Sequence, residues 1–174
     1  MKKSKSVYDL DFYKSLNGEK AIAERLKGRL PIIDIAGYPF FVDAHMGRLR
    51  PMDNFMTLGL DMINGGSLDS NTNLRSFYYD PVRMQEVKPD EKEAGLDHLL
   101  MVTVPDLHTL DPVGMAKIQR LDPLTHLGQQ PFQMFTKATV VPAAILAQTA
   151  ALKKQFLQRG KESKSRSTTK RKKH

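Results

Sequence analysis

The segment that most restricts the fold is residues 30–51, LPIIDIAGYPFFVDAHMGRLRP, the densest apolar run in the chain. Apolar side chains alternate on both sides of Ala36-Gly37, as they do in strands that bury one face. Glycine adopts positive φ without steric cost, which a two-residue hairpin loop requires. A second break at 45–47 precedes a further short extended stretch. The segment therefore predicts a three-stranded antiparallel meander that carries the core.

The rest of the chain is divided by Gly, Pro and Asp residues into further strands and helices. The patterns predict strands over 74–79, 82–87, 99–104 and 132–141, and helices over 14–27, 112–120, 123–127 and 142–158. Asp-Pro pairs open the two central helices, since Asp caps free N–H groups and Pro suits the first helical position. Residues 64–73 and 88–95 are predicted to form connecting loops.

These elements predict an α+β fold. We expect a mainly antiparallel sheet of five to seven strands built on hairpins, with an N-terminal helix, a short central helix and an Ala-rich C-terminal helix. Ile145, Thr149, Leu152 and Phe156 recur at helical spacing, which predicts a stripe of α-helix facing the core. The expected organisation is a polar N-terminal arm (1–14), one α+β domain (15–160) and a disordered basic tail (161–174).

The positive charge of the chain is concentrated at its C-terminal end. The whole chain has 27 Lys and Arg against 19 Asp and Glu, a net charge of +8. Residues 153–174 hold ten of the basic residues and one acid, so residues 1–152 carry 17 basic and 18 acidic side chains. Because the body is close to neutral, any attraction to a polyanion must come from the segment 153–174.

Basic residues interspersed with Ser and Thr bind nucleic acid by releasing counterions, without reading its sequence. The predicted nucleic-acid-binding residues are Lys153, Lys154, Arg159, Lys161, Lys164, Arg166, Lys170, Arg171, Lys172 and Lys173. The alternative interpretation is a solubilising extension.

Three arginines of the body form a second candidate group. Arg48 and Arg50 alternate in an extended segment and so share one face, and Arg75 lies in another predicted strand. Guanidinium groups bind phosphate and carboxylate through paired hydrogen bonds, so these residues are a candidate anion site. The alternative is a solvated face balanced by Asp43 and Asp53.

Histidines and acids near the strand at 99–104 are the only suggestion of a metal site. His98, Asp106 and His108 bracket that strand. A fully extended chain rises about 3.3 Å per residue, which would hold the two histidines about 30 Å apart. Surface histidines at strand ends are therefore the better interpretation. The sequence predicts no metal and no cofactor.

Motifs for phosphate-binding loops, dinucleotide folds, serine hydrolases and zinc peptidases are absent from the sequence. The chain has no Cys, no apolar signal segment and no apolar run long enough for a membrane span. We therefore expect a cytoplasmic, non-enzymatic binding or accessory protein, with a protein-interacting body and a basic tail that contacts nucleic acid. The alternatives are a small hydrolytic or metal-assisted enzyme with a dispersed site, and a structural subunit of a larger assembly.

Overall fold

The computed structural model describes residues 9–54, 57–88 and 96–169, with backbone alone at residues 96 and 156 and from residue 159 onward. The helices are α1 (Leu10–Ser15), α2 (Glu19–Leu26), α3 (Leu107–Leu110), α4 (Pro112–Ile118) and α5 (Ala143–Thr169). The strands are β1 (Ile32–Ile35), β2 (Tyr38–Asp43), β3 (Arg48–Pro51), β4 (Leu60–Asp61), β5 (Ser67–Asp69), β6 (Leu74–Asp80), β7 (Gln85–Val87), β8 (Leu100–Pro105), β9 (Phe135–Lys137) and β10 (Thr139–Pro142).

The predicted meander is confirmed as the centre of the first sheet. Strands β1, β2 and β3 pair antiparallel, and the sheet has the order β4-β3-β2-β1-β9 with β9 parallel to β1. Ala36 and Gly37 both have positive φ, as a tight hairpin turn requires. Oδ1 of Asp34 accepts a hydrogen bond from the Gly37 N–H, which fixes the same turn.

The second sheet is antiparallel and has the order β10-β8-β6-β5, with β7 paired to the far end of β6. Its centre is the long pairing of β6 with β8, and Ser76 and Thr103 bond to each other across that pair at 2.9 Å. The antiparallel α+β class is therefore confirmed, with ten strands of the described chain divided between two sheets.

One extended segment joins the two sheets. The sequence predicts a single last strand over 132–141, whereas the structure divides that segment between β9 in the first sheet and β10 in the second. The N–H of Ala138, between the two strands, donates to the carbonyl of Asp34. A chain that passes from one sheet to the other holds their adjacent ends together.

The core has two parts, one on each face of the first sheet. Ile33, Phe40 and Val42 pack against side chains of the second sheet, including Tyr79 and Val102. On the opposite face, a second cluster packs beneath α1, α2 and α4, and it contains Tyr13, Ala21, Ile32, Phe41, Val113 and Met134. The first sheet is therefore covered on both sides. The layers follow the order helices, first sheet, second sheet.

Besides the strand at 132–141, four expectations about helices and loops need correction. The helix predicted over 14–27 is two helices, α1 and α2, and residues 16–18 lie outside both. The loop predicted over 64–73 contains edge strand β5, and the helix predicted over 123–127 is a series of turns. Short local propensities decide little here, because pairing with β6 and packing against the body select the conformation. The connector predicted over 88–95 falls largely outside the described residues.

The fourth correction concerns the C-terminal helix. Helix α5 does not end at Gly160 but continues to Thr169. Glycine inside a helix lowers the stability of the helix by about 1 kcal/mol relative to Ala, which is too little to end every helix. The division of the chain into an N-terminal arm (1–14), one domain (15–160) and a tail (161–174) stays a prediction.

Candidate functional site

Helix α5 leaves the body of the protein after its first turn. Ala143 is buried and donates its N–H to the carbonyl of Leu99, and Ala144 is half-buried. Every described side chain of α5 beyond Ala144 is exposed, including Ile145 (52%) and Leu152 (54%). The stripe expected to face the core is therefore wrong for Ile145, Thr149 and Leu152, and the Phe156 side chain is not described.

The predicted nucleic-acid-binding residues occupy the outer part of this helix and the chain after it. Six of them fall within the α5 backbone: Lys153, Lys154, Arg159, Lys161, Lys164 and Arg166. Lys170, Arg171, Lys172 and Lys173 lie outside the described residues. The side chains of Lys153 and Lys154 are exposed, and no described carboxylate lies within 4.0 Å of either ammonium group. Their charge faces solvent without a counterion from the described part of the body.

Several basic residues of the body, by contrast, are paired with acids. Arg25 binds the buried Asp111, and Lys27 and Arg29 both bind Glu24. The hydrogen bonds from Lys27 and then Arg29 hold the pKa of Glu24 below its ordinary value. The two opposite charges of an ion pair cancel most of each other's electric field. At physiological salt the remaining field is screened beyond a Debye length of about 8 Å.

Arg48 and Arg50 share one face of β3, as the alternation predicts, but each lies beside an acid. Nη2 of Arg48 is 3.8 Å from Oδ2 of Asp61, and Nε of Arg50 is 3.2 Å from Oδ2 of Asp43. The second contact has charge proximity without hydrogen-bond geometry, since Nε of Arg50 is buried with no hydrogen-bond partner among the described residues. The third arginine of the predicted anion site, on β6, belongs to the other sheet.

Arg75 is a buried structural residue of that other sheet. Its Nη1 donates to the carbonyl of Gly65 and its Nη2 to the carbonyl of Ile63, at 3.3 Å for the second bond. Glu86 holds the same loop by accepting the N–H of Gly66. Arg75 therefore anchors the loop between β4 and β5, and the structure does not bring it to the face that carries Arg48 and Arg50.

The histidines form an arrangement that the sequence analysis missed. His98 lies exposed in a single 3₁₀ turn at the start of β8, whereas His108 lies on α3 beyond its other end. The ring of His108 contacts the ring of His126 edge to face, with centroids 4.9 Å apart. Nothing in the sequence signals this pair, because the two residues are far apart along the chain and meet only when the turns after α4 fold back. No group of three or more His, Asp or Glu in the described chain could hold a metal ion.

The two histidines line a cleft with a volume of about 590 Å³. Its walls come from Asn73 just before β6, the end of β8, the residues that begin α3 and α4, the loop at 126–133 and strand β9. The ionisable side chains in these walls are Asp106, His108 and His126. Oδ1 of Asp106 already accepts the N–H of Thr109, so that carboxylate caps α3. The cleft is therefore polar and only weakly charged.

Comparison of the chain with protein-family models, with curated proteins and with solved structures finds no match in any of the three. Within the described residues, no helix has both the length and the apolar character needed to cross a bilayer.

Proposed function

We propose that this protein is a non-enzymatic binding protein that contacts nucleic acid, without sequence preference, through the outer part of α5 and the residues that follow it. The observation that carries the proposal is the exposure of α5 beyond Ala144. A basic segment packed on the body would be partly neutralised or shielded, whereas Lys153 and Lys154 face solvent on a helix that extends away from it.

The division of charge supports the same proposal. Residues 1–152 have 17 basic and 18 acidic side chains, a net charge of −1, while residues 153–174 carry +9. Several arginines of the body are engaged in ion pairs, among them Arg25, Arg29 and Arg50. Long-range attraction between the basic segment and a polyanion therefore orients the protein with α5 towards the polyanion. Association would be fast at low salt and weaken steeply as salt is added.

The helical backbone gives the cations a defined span. The part of α5 from Lys153 to Thr169 is a continuous helix. At about 1.5 Å per residue it extends about 25 Å. Duplex DNA carries one negative charge per about 1.7 Å of axis, so a helix of this length lies against several phosphates. Lysine and arginine bound to phosphates carry no sequence information, and indifference to sequence follows from this mode of contact.

The test compares nucleic-acid affinity in chains that differ only in charge. Full-length protein should bind a labelled duplex. The logarithm of its binding constant should fall with the logarithm of the salt concentration with a slope near −5 if about six phosphates are engaged, at about −0.9 per phosphate. Lys153→Gln with Lys154→Gln should reduce the magnitude of that slope by about 2. A protein ending at residue 152 should show no measurable binding by fluorescence anisotropy.

The matched control removes two exposed charges from the body. Lys20→Gln with Lys137→Gln changes the net charge equally, and both exposed side chains lie outside α5. This control should leave the salt slope unchanged. Binding that survives removal of residues 153–174, or a full-length protein that fails to bind at low salt, would contradict the proposal.

A second function, a subunit of a larger assembly, is favoured by a different observation. Helix α5 also exposes apolar side chains, with Leu152 at 54% and Leu157 at 69%. An acidic protein with an apolar groove would complement both the charge and these leucines. If this function holds, Leu152→Ser with Leu157→Ser abolishes co-purification of such a partner while leaving the salt slope on DNA unchanged.

A further inference from the structure

We propose that the cleft containing His108 and His126 is a binding site for a nucleobase, either in a free nucleoside or in an unpaired position of a single strand. The cleft is separate from α5, and no described residue of α5 lines it. Its volume is about 590 Å³. Small-molecule sites occupy about 300–1,000 Å³, so this cleft has the size of one.

The charges in the walls restrict the class of ligand. None of the described lining residues is Lys, Arg or Glu, and the one acid, Asp106, already caps α3. A phosphate or carboxylate placed inside would lose its hydration without gaining a cationic partner, which is costly. The ligand that this cleft accepts is therefore uncharged, and any phosphate attached to it stays outside.

The remaining polar groups both donate and accept hydrogen bonds. Four side-chain amides line the cleft, from Asn73, Gln129, Gln130 and Gln133, together with the hydroxyl groups of Thr109 and Thr136. An amide presents a donor and an acceptor side by side, and such a pair matches the adjacent donor and acceptor on the edge of a base. Four amides favour a ligand that has several hydrogen-bonding edges over an apolar ligand.

The histidine pair contributes a hydrogen-bonding nitrogen and a flat surface. Nε2 of His126 is engaged with Oε1 of Gln119 at 2.7 Å, so Nδ1 is the ring nitrogen that this bond does not use. The exposed ring of His108, held edge to face against His126, offers a π-face of the kind on which unpaired bases stack.

This inference does not depend on the basic helix, because a nucleoside has no phosphate. The experiment uses the full chain and records amide NMR spectra during titration with adenosine, guanosine, cytidine and uridine, up to about 10 mM so that millimolar binding is detected. At least one nucleoside should give saturable shifts centred on cleft residues such as Thr109 and Gly128. Glucose is the control for a cleft that accepts any polar ring.

Two cleft variants with matched controls test the assigned residues. His126→Ala should weaken nucleoside binding at least tenfold, and His45→Ala, an exposed histidine outside the cleft, should not. Gln130 lies in an exposed loop. Gln130→Ala therefore tests the contribution of the side-chain amides to binding without disturbing the His126–Gln119 bond. Its control is Gln148→Ala, an exposed glutamine on α5.

A short single-stranded oligonucleotide distinguishes the two sources of the base. Cleft shifts with the oligonucleotide identify a base presented by a strand, and cleft shifts with nucleosides alone identify a free nucleoside. The proposal is overturned if no nucleoside produces saturable cleft shifts, if glucose binds there more tightly, or if His126→Ala and His45→Ala bind alike. Binding of DNA through α5 has no effect on the nucleoside titrations, because a nucleoside carries no phosphate.

Discussion

Arg25 on α2 holds the carboxylate of Asp111, which caps α4, through three hydrogen bonds of 2.9, 3.1 and 3.0 Å. The Asp111 side chain is completely buried and also accepts the N–H of Gly114 at 2.9 Å. One carboxylate therefore connects α2 to α4, at the edge of the core cluster on the outer face of the first sheet.

Asp111→Ala should destabilise the protein by about 3–5 kcal/mol, because it leaves the largely buried guanidinium of Arg25 without its counterion. The measurement is chemical denaturation followed by circular dichroism. Asp11→Ala is the control, since its ion pair with Lys14 is exposed. An exposed pair of this kind is worth at most about 1 kcal/mol. Equal losses in the two variants would contradict the structural role of the buried pair.

Gly114→Ala should destabilise the protein although Ala is the better helix former by about 1 kcal/mol. A Cβ at Gly114 would overlap Oδ2 of Asp111 and lie 2.6 Å from Nη2 of Arg25, so the ion pair would have to shift. We expect a net cost of about 1–3 kcal/mol, as for other overpacked sites. At Gly128 a Cβ would meet nothing within 4 Å, so Gly128→Ala should be close to neutral in the same assay.

Phe40→Ala and Phe41→Ala should each cost about 3–5 kcal/mol, the usual loss for a buried ring. The two rings are buried on opposite faces of β2, one in each core cluster. The losses are measured by denaturation of each variant. A sheet with one wet face would make one of the two replacements nearly neutral, so a small effect at Phe41 would contradict the covered outer face.

Tyr79 should ionise only near pH 12. Burial, and to a smaller extent the charge of Asp80, raise its pKa to about 12. Since the folded pKa lies above the ordinary value of about 10, its contribution to stability is complete below pH 10 and is lost as the pH rises towards 12. An ultraviolet titration should lose this late component in Tyr79→Phe. Tyr78→Phe, which changes the half-buried neighbouring tyrosine on β6, should retain it.

The predictions that succeeded concern features that neighbouring residues encode. The turn at Ala36-Gly37, the strands around it and the Asp111-Pro112 start of α4 all depend on contacts within a few residues. The antiparallel α+β class follows from the same local patterns. Helix boundaries were less reliable, since α5 passes through Gly160 where the sequence predicts an end.

The candidate sites also differ in whether the sequence alone could locate them. A count of charges locates the basic segment at 153–174, because charge needs no tertiary structure to be read. The cleft could not be located in this way, since His108 and His126 meet only through the turns after α4. The apolar stripe that includes Ile145 and Leu152 was assigned to the core because a helix pattern shows which side chains share a face, but not what covers it.

The sequence by itself determined the hairpins, the antiparallel class and the concentration of positive charge at the C-terminal end. Only the tertiary structure decided that the strands form two sheets, that Arg75 is separated from Arg48 and Arg50, and that α5 exposes its apolar residues. The physical reason is distance along the chain: turns and charge density depend on nearby residues, whereas burial depends on contacts such as that of Arg25 with Asp111, between residues far apart in sequence.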